Sequence, residues 1–185
     1  NGNGLQERLR NGDLAMLLST TNPDIVTFNE VKRLLPNLAH WDSIRKGLAA
    51  LGFNHIACSW CNHDSQNKFS WGVLIMSKFK LENVTYGITG GNDDEGRCVR
   101  ATVPALGADF IDVYVPTTKT MDSPTKAERD EYRRVFDDDM TTLASKAKAQ
   151  MRPFFIVGDL NIAPYEQDCN LPPTMQRTFP STTPS

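Results

Sequence analysis

Cysteine and histidine are scarce in this chain, whose 185 residues carry 4 of the first and 3 of the second. Two disulfides could be drawn among Cys58, Cys61, Cys98 and Cys169. A chain of this length with both helical and strand patterns does not need such staples, so reduced thiols are expected. The segment Cys58-Ser59-Trp60-Cys61-Asn62-His63 offers three soft ligands in six positions. It lacks a second pair at zinc spacing, and its cysteines read as small buried hydrophobes on a strand.

A basic surplus is also absent. Lysine and arginine number 20 against 22 aspartates and glutamates, for a net charge of -2 and a pI near 5.9. That balance excludes a protein that coats nucleic acid through bulk charge. Lys32-Arg33, Arg45-Lys46, Arg129, Arg133-Arg134 and Lys146, Lys148 and Arg152 remain as local basic groups, of the kind that ordinarily forms solvated faces. No apolar run reaches the roughly 18 residues of a spanning helix, and no basic stretch followed by an apolar one opens the chain. No membrane partner is expected. What remains is a globular composition, long enough to bury roughly 70 % of its unfolded surface in one domain.

Helix and strand signals alternate along the chain. Leu5, Leu9, Leu14, Leu17 and Leu18 keep helical spacing up to Asn22-Pro23, and Asp24 to Phe28 reads as a strand. Leu38, Trp41, Leu48 and Leu51 mark a second helix stopped by Gly52, and Phe53 to Trp60 a strand. Trp71 to Met76, Cys98 to Val103 and Phe110 to Val115 are three further strand signals without long helices between them. Tyr132, Phe136, Met140, Leu143 and Ala147 then form one helical stripe, with Ser123-Pro124 as its expected cap and first residue. This order favours an α+β fold: two mixed β-sheets packed as a sandwich with helices on the outer faces. The proline-rich stretch from residue 169 to 185 reads as loop.

The richest segment is Pro153-Phe154-Phe155-Ile156-Val157-Gly158-Asp159-Leu160-Asn161. Four apolar residues form a buried strand, and a carboxylate and a carboxamide follow at an i, i+2 spacing, which places both on one face. Such a pair can hold a water or a phosphate oxygen beside a hard cation. Other polar residues also cluster where strands end: Asn1 to Leu5 before the first helix, Asn29-Glu30 closing one strand, Tyr114-Val115-Pro116 closing another, and Glu166 and Asp168 in a loop. Ligands of α/β proteins gather at such ends, so one shared site is expected.

In order along the chain these residues resemble the endonuclease/exonuclease/phosphatase superfamily, and within it the exonuclease III type of apurinic/apyrimidinic endonuclease. Asn1-Gly2-Asn3-Gly4-Leu5 looks like that family's opening Asn-x-x-Gly-Leu, and Pro23 to Lys32 like its Pro-Asp-hydrophobic-Gln-Glu-x-Lys. Gly72-Val73 with Ser77-Lys78, Glu95-Gly96-Arg97, Tyr114-Val115-Pro116, the segment Arg129 to Arg133, and Gly158-Asp159-Leu160-Asn161 follow with similar separations. The resemblance covers residues 1–185, roughly the first two-thirds of such a domain, so the sequence is expected to be a piece incomplete at both ends. The family's closing aromatic loop, Asp-bearing strand and terminal Ser-Asp-His have no counterpart here. Asn3, Asn29 and Thr117 depart from the acidic residue, Gln and Asn common at those places. None of His40, His55 and His63 matches a family histidine.

The resemblance implies a magnesium-dependent DNA phosphodiesterase, with manganese as a substitute, cleaving double-stranded DNA 5' to abasic sites in base excision repair. It implies metal ligands Glu30 and Asn1, catalytic residues Tyr114, Asp159 and Asn161, nucleic-acid contacts from Arg129 and Asn161, and Asp168 orienting the site from behind. An intracellular location, nucleus or mitochondrion, goes with that role. The rival reading is a catalytically inactive member of the same fold, serving as a structural or interaction subunit of a larger assembly such as a mitochondrial ribonucleoprotein. A third is another branch of the superfamily, a deadenylase or retroelement endonuclease; Tyr114-Val115-Pro116 and Glu95-Gly96-Arg97 favour the exonuclease III branch.

Overall fold

The computed structural model describes residues 1–34, 38–62, 69–89, 94–117 and 125–163. Helices α1 (Leu5–Arg10) and α2 (Asp13–Thr21) come first, then strand β1 (Ile25–Leu34) and α3 (Leu38–Ala50). Strands β2 (His55–Trp60), β3 (Phe69–Ser77), β4 (Glu82–Tyr86), β5 (Cys98–Val103) and β6 (Ala108–Tyr114) follow, with a single 3-10 turn, Pro104–Leu106, between the last two. The long helix α4 (Lys126–Ala149) leads into β7 (Phe154–Asp159).

The strands make two sheets, ordered β1-β3-β2 and β4-β5-β6-β7. The first is antiparallel throughout, and in the second the one parallel pair is β6 with β7. A parallel pair needs a crossover of a dozen or more residues, and α4 supplies it.

Side-chain alternation sorts the core into three layers. In β3, Leu74 and Met76 face outward onto α1, α2 and α3, packing with Leu5, Leu14, Leu18, Ile44 and Leu48. Their neighbours Val73 and Ile75 face inward and meet Val99 and Ala101 of β5 between the sheets. On the far side Ile111 and Val113 of β6 turn outward to Phe136 and Leu143 of α4. Each fully buried Val, Leu or Ile in these layers stabilises the fold by about 1.5–3 kcal/mol relative to exposure. The expected sandwich with outer helices is therefore observed, and the stripe Tyr132, Phe136, Met140, Leu143 and Ala147 is the face α4 buries.

Two local expectations need correction. The leucine-spaced first helix is two helices, because Gly12, the N-cap of the second, adopts φ 84° and the Asn11 side chain closes the turn between them by accepting from the Asp13 backbone N–H at 3.1 Å. The cap of α4 is Thr125, whose Oγ1 accepts from the Glu128 N–H at 3.3 Å and donates to the Glu128 carboxylate at 3.0 Å. Ser123 and Pro124 lie outside the described residues, as does the segment 169 to 185. Strand β4 carried too weak an alternation to be read from sequence, with a burial pattern that leaves most of it open to solvent. Cys58, Cys61 and Cys98 are free thiols; burial pushes the Cys58 thiol well up, as befits a packing residue.

Candidate active site

Glu30 owes its position to a bulge. Phe28 pairs with Leu74 and Val31 with Gly72, so Asn29 and Glu30 together oppose the single residue Val73. Phe28 and Val31 both face the outer core, and the two intervening polar residues are released from it, with Glu30 at φ 55°. Asn29-Glu30 thus does not close β1, as the sequence suggested; the strand continues to Leu34. The bulge does what a strand end would have done, turning two consecutive polar side chains off the packed face.

Around Glu30 three side chains converge. The Tyr114 hydroxyl donates to Oε1 at 2.8 Å, and the Asn1 side-chain amide donates to Oε2. The Asn1 carboxamide is itself held through its oxygen by the Asn3 N–H at 2.8 Å, and Gly2 N–H donates to the Asn29 carbonyl at 2.5 Å. Tyr114 is pushed up to about 12 by burial, by its bond to Glu30 and by that carboxylate's charge. It therefore stays a proton donor across the physiological range.

Asp159 and Asn161 reach the same place from the other sheet. The Asn29 carboxamide crosses between the sheets: its Nδ2 donates to Asp112 Oδ1 and to the Val113 carbonyl, both at 3.1 Å, while its Oδ1 accepts from the Asp159 N–H at 2.8 Å. Asp159 Oδ1 accepts from the Asn161 N–H at 2.9 Å, and Asn161 Nδ2 donates to the Val115 carbonyl at 2.7 Å. β7 comes so close to β6 that a Cβ on Gly158 would lie 2.0 Å from the Val113 carbonyl oxygen; its φ of 124° also favours glycine.

A frame of arginines fixes the loops beneath this cluster. Arg97 donates to the Tyr114 carbonyl at 3.0 Å and to Glu95 at 2.5 Å. Arg129, expected as a contact to the DNA backbone, donates to Glu95 at 2.9 Å and to the Thr117 carbonyl at 3.0 Å. Burial alone would raise the Glu95 carboxyl, yet the hydrogen bonds from Arg129 and Arg97 outweigh it and hold Glu95 below its ordinary value. Arg133 donates to the carbonyls of Pro116 at 2.8 Å and Leu160 at 3.3 Å, stapling the segment after β6 to the one after β7.

The structure thus brings Asn1, Glu30, Tyr114, Asp159 and Asn161 to one edge of the sandwich and sets Arg129 just behind them. Asp168 lies outside the described residues. Sequence reading missed the linking roles of Asn29, Asp112 and Arg133. An Asp in the middle of an apolar strand, at 112, was the one available signal.

No group of three or more His, Cys, Asp or Glu side chains that could hold a metal occurs among the described residues. The oxygen donors at hand are the carboxylate of Glu30 and the carboxamide oxygen of Asn1, which here accepts from the Asn3 N–H while the amide nitrogen faces Glu30, so that side chain would have to turn over to share a cation. Carboxylate and carboxamide oxygens are donor types that a magnesium-like ion takes while keeping several of its waters.

Comparison with known proteins gives the same direction. The model of the Endonuclease/Exonuclease/phosphatase family matches residues 1–185. An exodeoxyribonuclease of Bacillus subtilis is 28 % identical over 173 residues, which are 93 % of this chain and 60 % of that protein. The DNA repair nuclease APEX1 of Danio rerio is 30 % identical over 114 residues, 61 % of this chain and 34 % of its own. Among solved structures, an AP endonuclease from Archaeoglobus fulgidus superposes with a TM-score of 0.65 at 25 % identity, over 89 % of this chain and 56 % of that one. The chain accordingly spans less than two-thirds of the length of each of these relatives. With the whole of residues 1–185 matched, and with the two-sheet sandwich and its edge cluster in place, the chain belongs to the endonuclease/exonuclease/phosphatase family.

Proposed function

We propose that this chain belongs to a magnesium-dependent DNA phosphodiesterase that cuts 5' to abasic sites in DNA repair. The observation that carries the reading is the joining of Glu30, Tyr114 and Asn1 to Asp159 and Asn161 across two sheets by one carboxamide. The names of the relatives, an exodeoxyribonuclease, a DNA repair nuclease and an AP endonuclease, support DNA as the substrate class.

Hydrolysis requires a water oxygen to bond to phosphorus while the bond to the 3' oxygen breaks, leaving a 3'-hydroxyl and a 5'-phosphate. Magnesium bound at Glu30 and Asn1, or manganese in its place, would supply positive charge to a phosphate oxygen. Asp159 has Oδ1 committed to the Asn161 N–H, and its second oxygen is left to take the proton of the attacking water. The Asn161 amide uses one N–H on the Val115 carbonyl and keeps a second for a phosphate oxygen. Tyr114, protonated, fixes the Glu30 carboxylate in one orientation.

The test is incision of a duplex with a single abasic site by the full-length protein and its Asp159→Ala variant, with magnesium present. Loss of a general base lowers such rates by roughly 100-fold or more. Unchanged cleavage in a folded Asp159→Ala protein would overturn the assignment.

A further inference from the structure

We propose that Asn29 and Asp112 form a positioning pair for the reaction, in which the Asp112 carboxyl orients the Asn29 carboxamide and that carboxamide holds Asp159 by its backbone. The inference rests on the reading of Asp159 given above and names the device that sets its place. Asp112 is 0 % exposed, sealed between the sheets, and its Oδ2 has no hydrogen-bond partner. Nothing in the packing of an apolar strand calls for a carboxyl there, and an unsatisfied buried oxygen is costly. Its Oδ1 accepts from Asn29 Nδ2. That bond, with the one to the Val113 carbonyl, fixes which end of the carboxamide faces β7. The end so presented is the oxygen, and it accepts the Asp159 N–H at 2.8 Å. Turned over, the same side chain would present an NH2 group to that N–H and release Asp159.

The state of Asp112 suits this task. Burial pushes its carboxyl up to about 8, against the pull of the Asn29 amide and the lesser pulls of the Leu74 backbone and the Thr27 hydroxyl. At neutral pH it is a protonated acid whose Oδ1 still accepts from the Asn29 amide. The carboxamide of an Asp112→Asn variant would offer the same acceptor and a donor of similar reach. A leucine side chain would offer neither.

The experiment measures kcat and KM for abasic-duplex cleavage by the full-length protein, with folded fraction matched by circular dichroism. Asp112→Leu is expected to lower kcat about 10-fold or more with KM within about 2-fold, since a misplaced catalytic group costs rate rather than binding. Asp112→Asn is expected to restore kcat to within about 2-fold of wild type, which a packing role alone would not require of a polar residue over leucine. Asn29→Ala, which removes the acceptor for the Asp159 N–H, is expected to reproduce the loss and keeps the test decisive if Asp112→Leu fails to fold. Wild-type kcat in Asn29→Ala, or in a folded Asp112→Leu, overturns the pair while leaving Asp159 as the base. An inactive wild type overturns the reading of the site and this inference with it.

Discussion

Replacing Asp112 by asparagine should stabilise the protein in a pH-dependent way. An unfolded aspartate releases its proton near pH 4, while the buried one holds it to about 8. Between those values the folded state binds one more proton than the unfolded state, so this residue's contribution falls as pH rises and levels off above about 8. Each pH unit in that window is worth about 1.4 kcal/mol, and three units, from pH 4.5 to 7.5, amount to about 4 kcal/mol. The carboxamide of the Asp112→Asn variant has no proton to lose. Urea unfolding of both proteins at half-unit pH steps gives the difference directly, and other carboxylates cancel because both proteins share them. Glu95 and Asp109, whose carboxyls are held below their ordinary values, contribute stability that is present above about pH 4 and lost only as pH falls further. The expected result is near-equal stability at pH 4.5 and an advantage to Asp112→Asn that grows toward pH 8. A difference that stays flat over this range would refute the claim that a buried, protonated acid sits behind the site.

Two further outcomes are expected. Tyr114→Phe deletes the hydroxyl that donates to Glu30 at 2.8 Å, and a hydrogen bond to a carboxylate is worth about 1.5–3 kcal/mol, so abasic-duplex cleavage should fall about 10- to 100-fold and the melting temperature should drop by several degrees. Gly158→Ala puts a Cβ 2.0 Å from the Val113 carbonyl oxygen on an unfavourable φ, and thermal unfolding should show a loss of several kcal/mol or a failure to fold.

How far the chain could be read from its sequence depended on which physical rule governed each segment. The buried face of α4 was legible because apolar periodicity is set by burial on one side, whereas the strand before Asp159, expected to be buried, lies at the sheet edge with Phe154, Ile156 and Val157 half-buried and Phe155 exposed. The break between α1 and α2 was not legible, since the leucine spacing runs on through Gly12 and the left-handed backbone there carries no hydrophobic signal. Glu30 was placed in the right company for an incomplete reason: its i, i+1 neighbourhood suggested a strand end, whereas a bulge inside a longer strand turns it out. Bulges depend on pairing with a partner strand, which a local pattern does not contain. The Asn29 bridge was invisible for a similar reason, joining positions 83 and 130 residues apart. Arg129 reads from sequence as a surface cation, and only the fold shows Glu95 and Thr117 arranged to receive it.

The central claim is that one edge of this sandwich cuts a phosphodiester bond beside a lost base. Its most direct test is the abasic-duplex assay read for end chemistry, with a single abasic site, an end label and magnesium. One incision by the full-length protein is expected, 5' to the abasic nucleotide, leaving a 3'-hydroxyl and abolished by Asp159→Ala. No incision, cleavage on the 3' side of the lesion, or the same product from Asp159→Ala would contradict it.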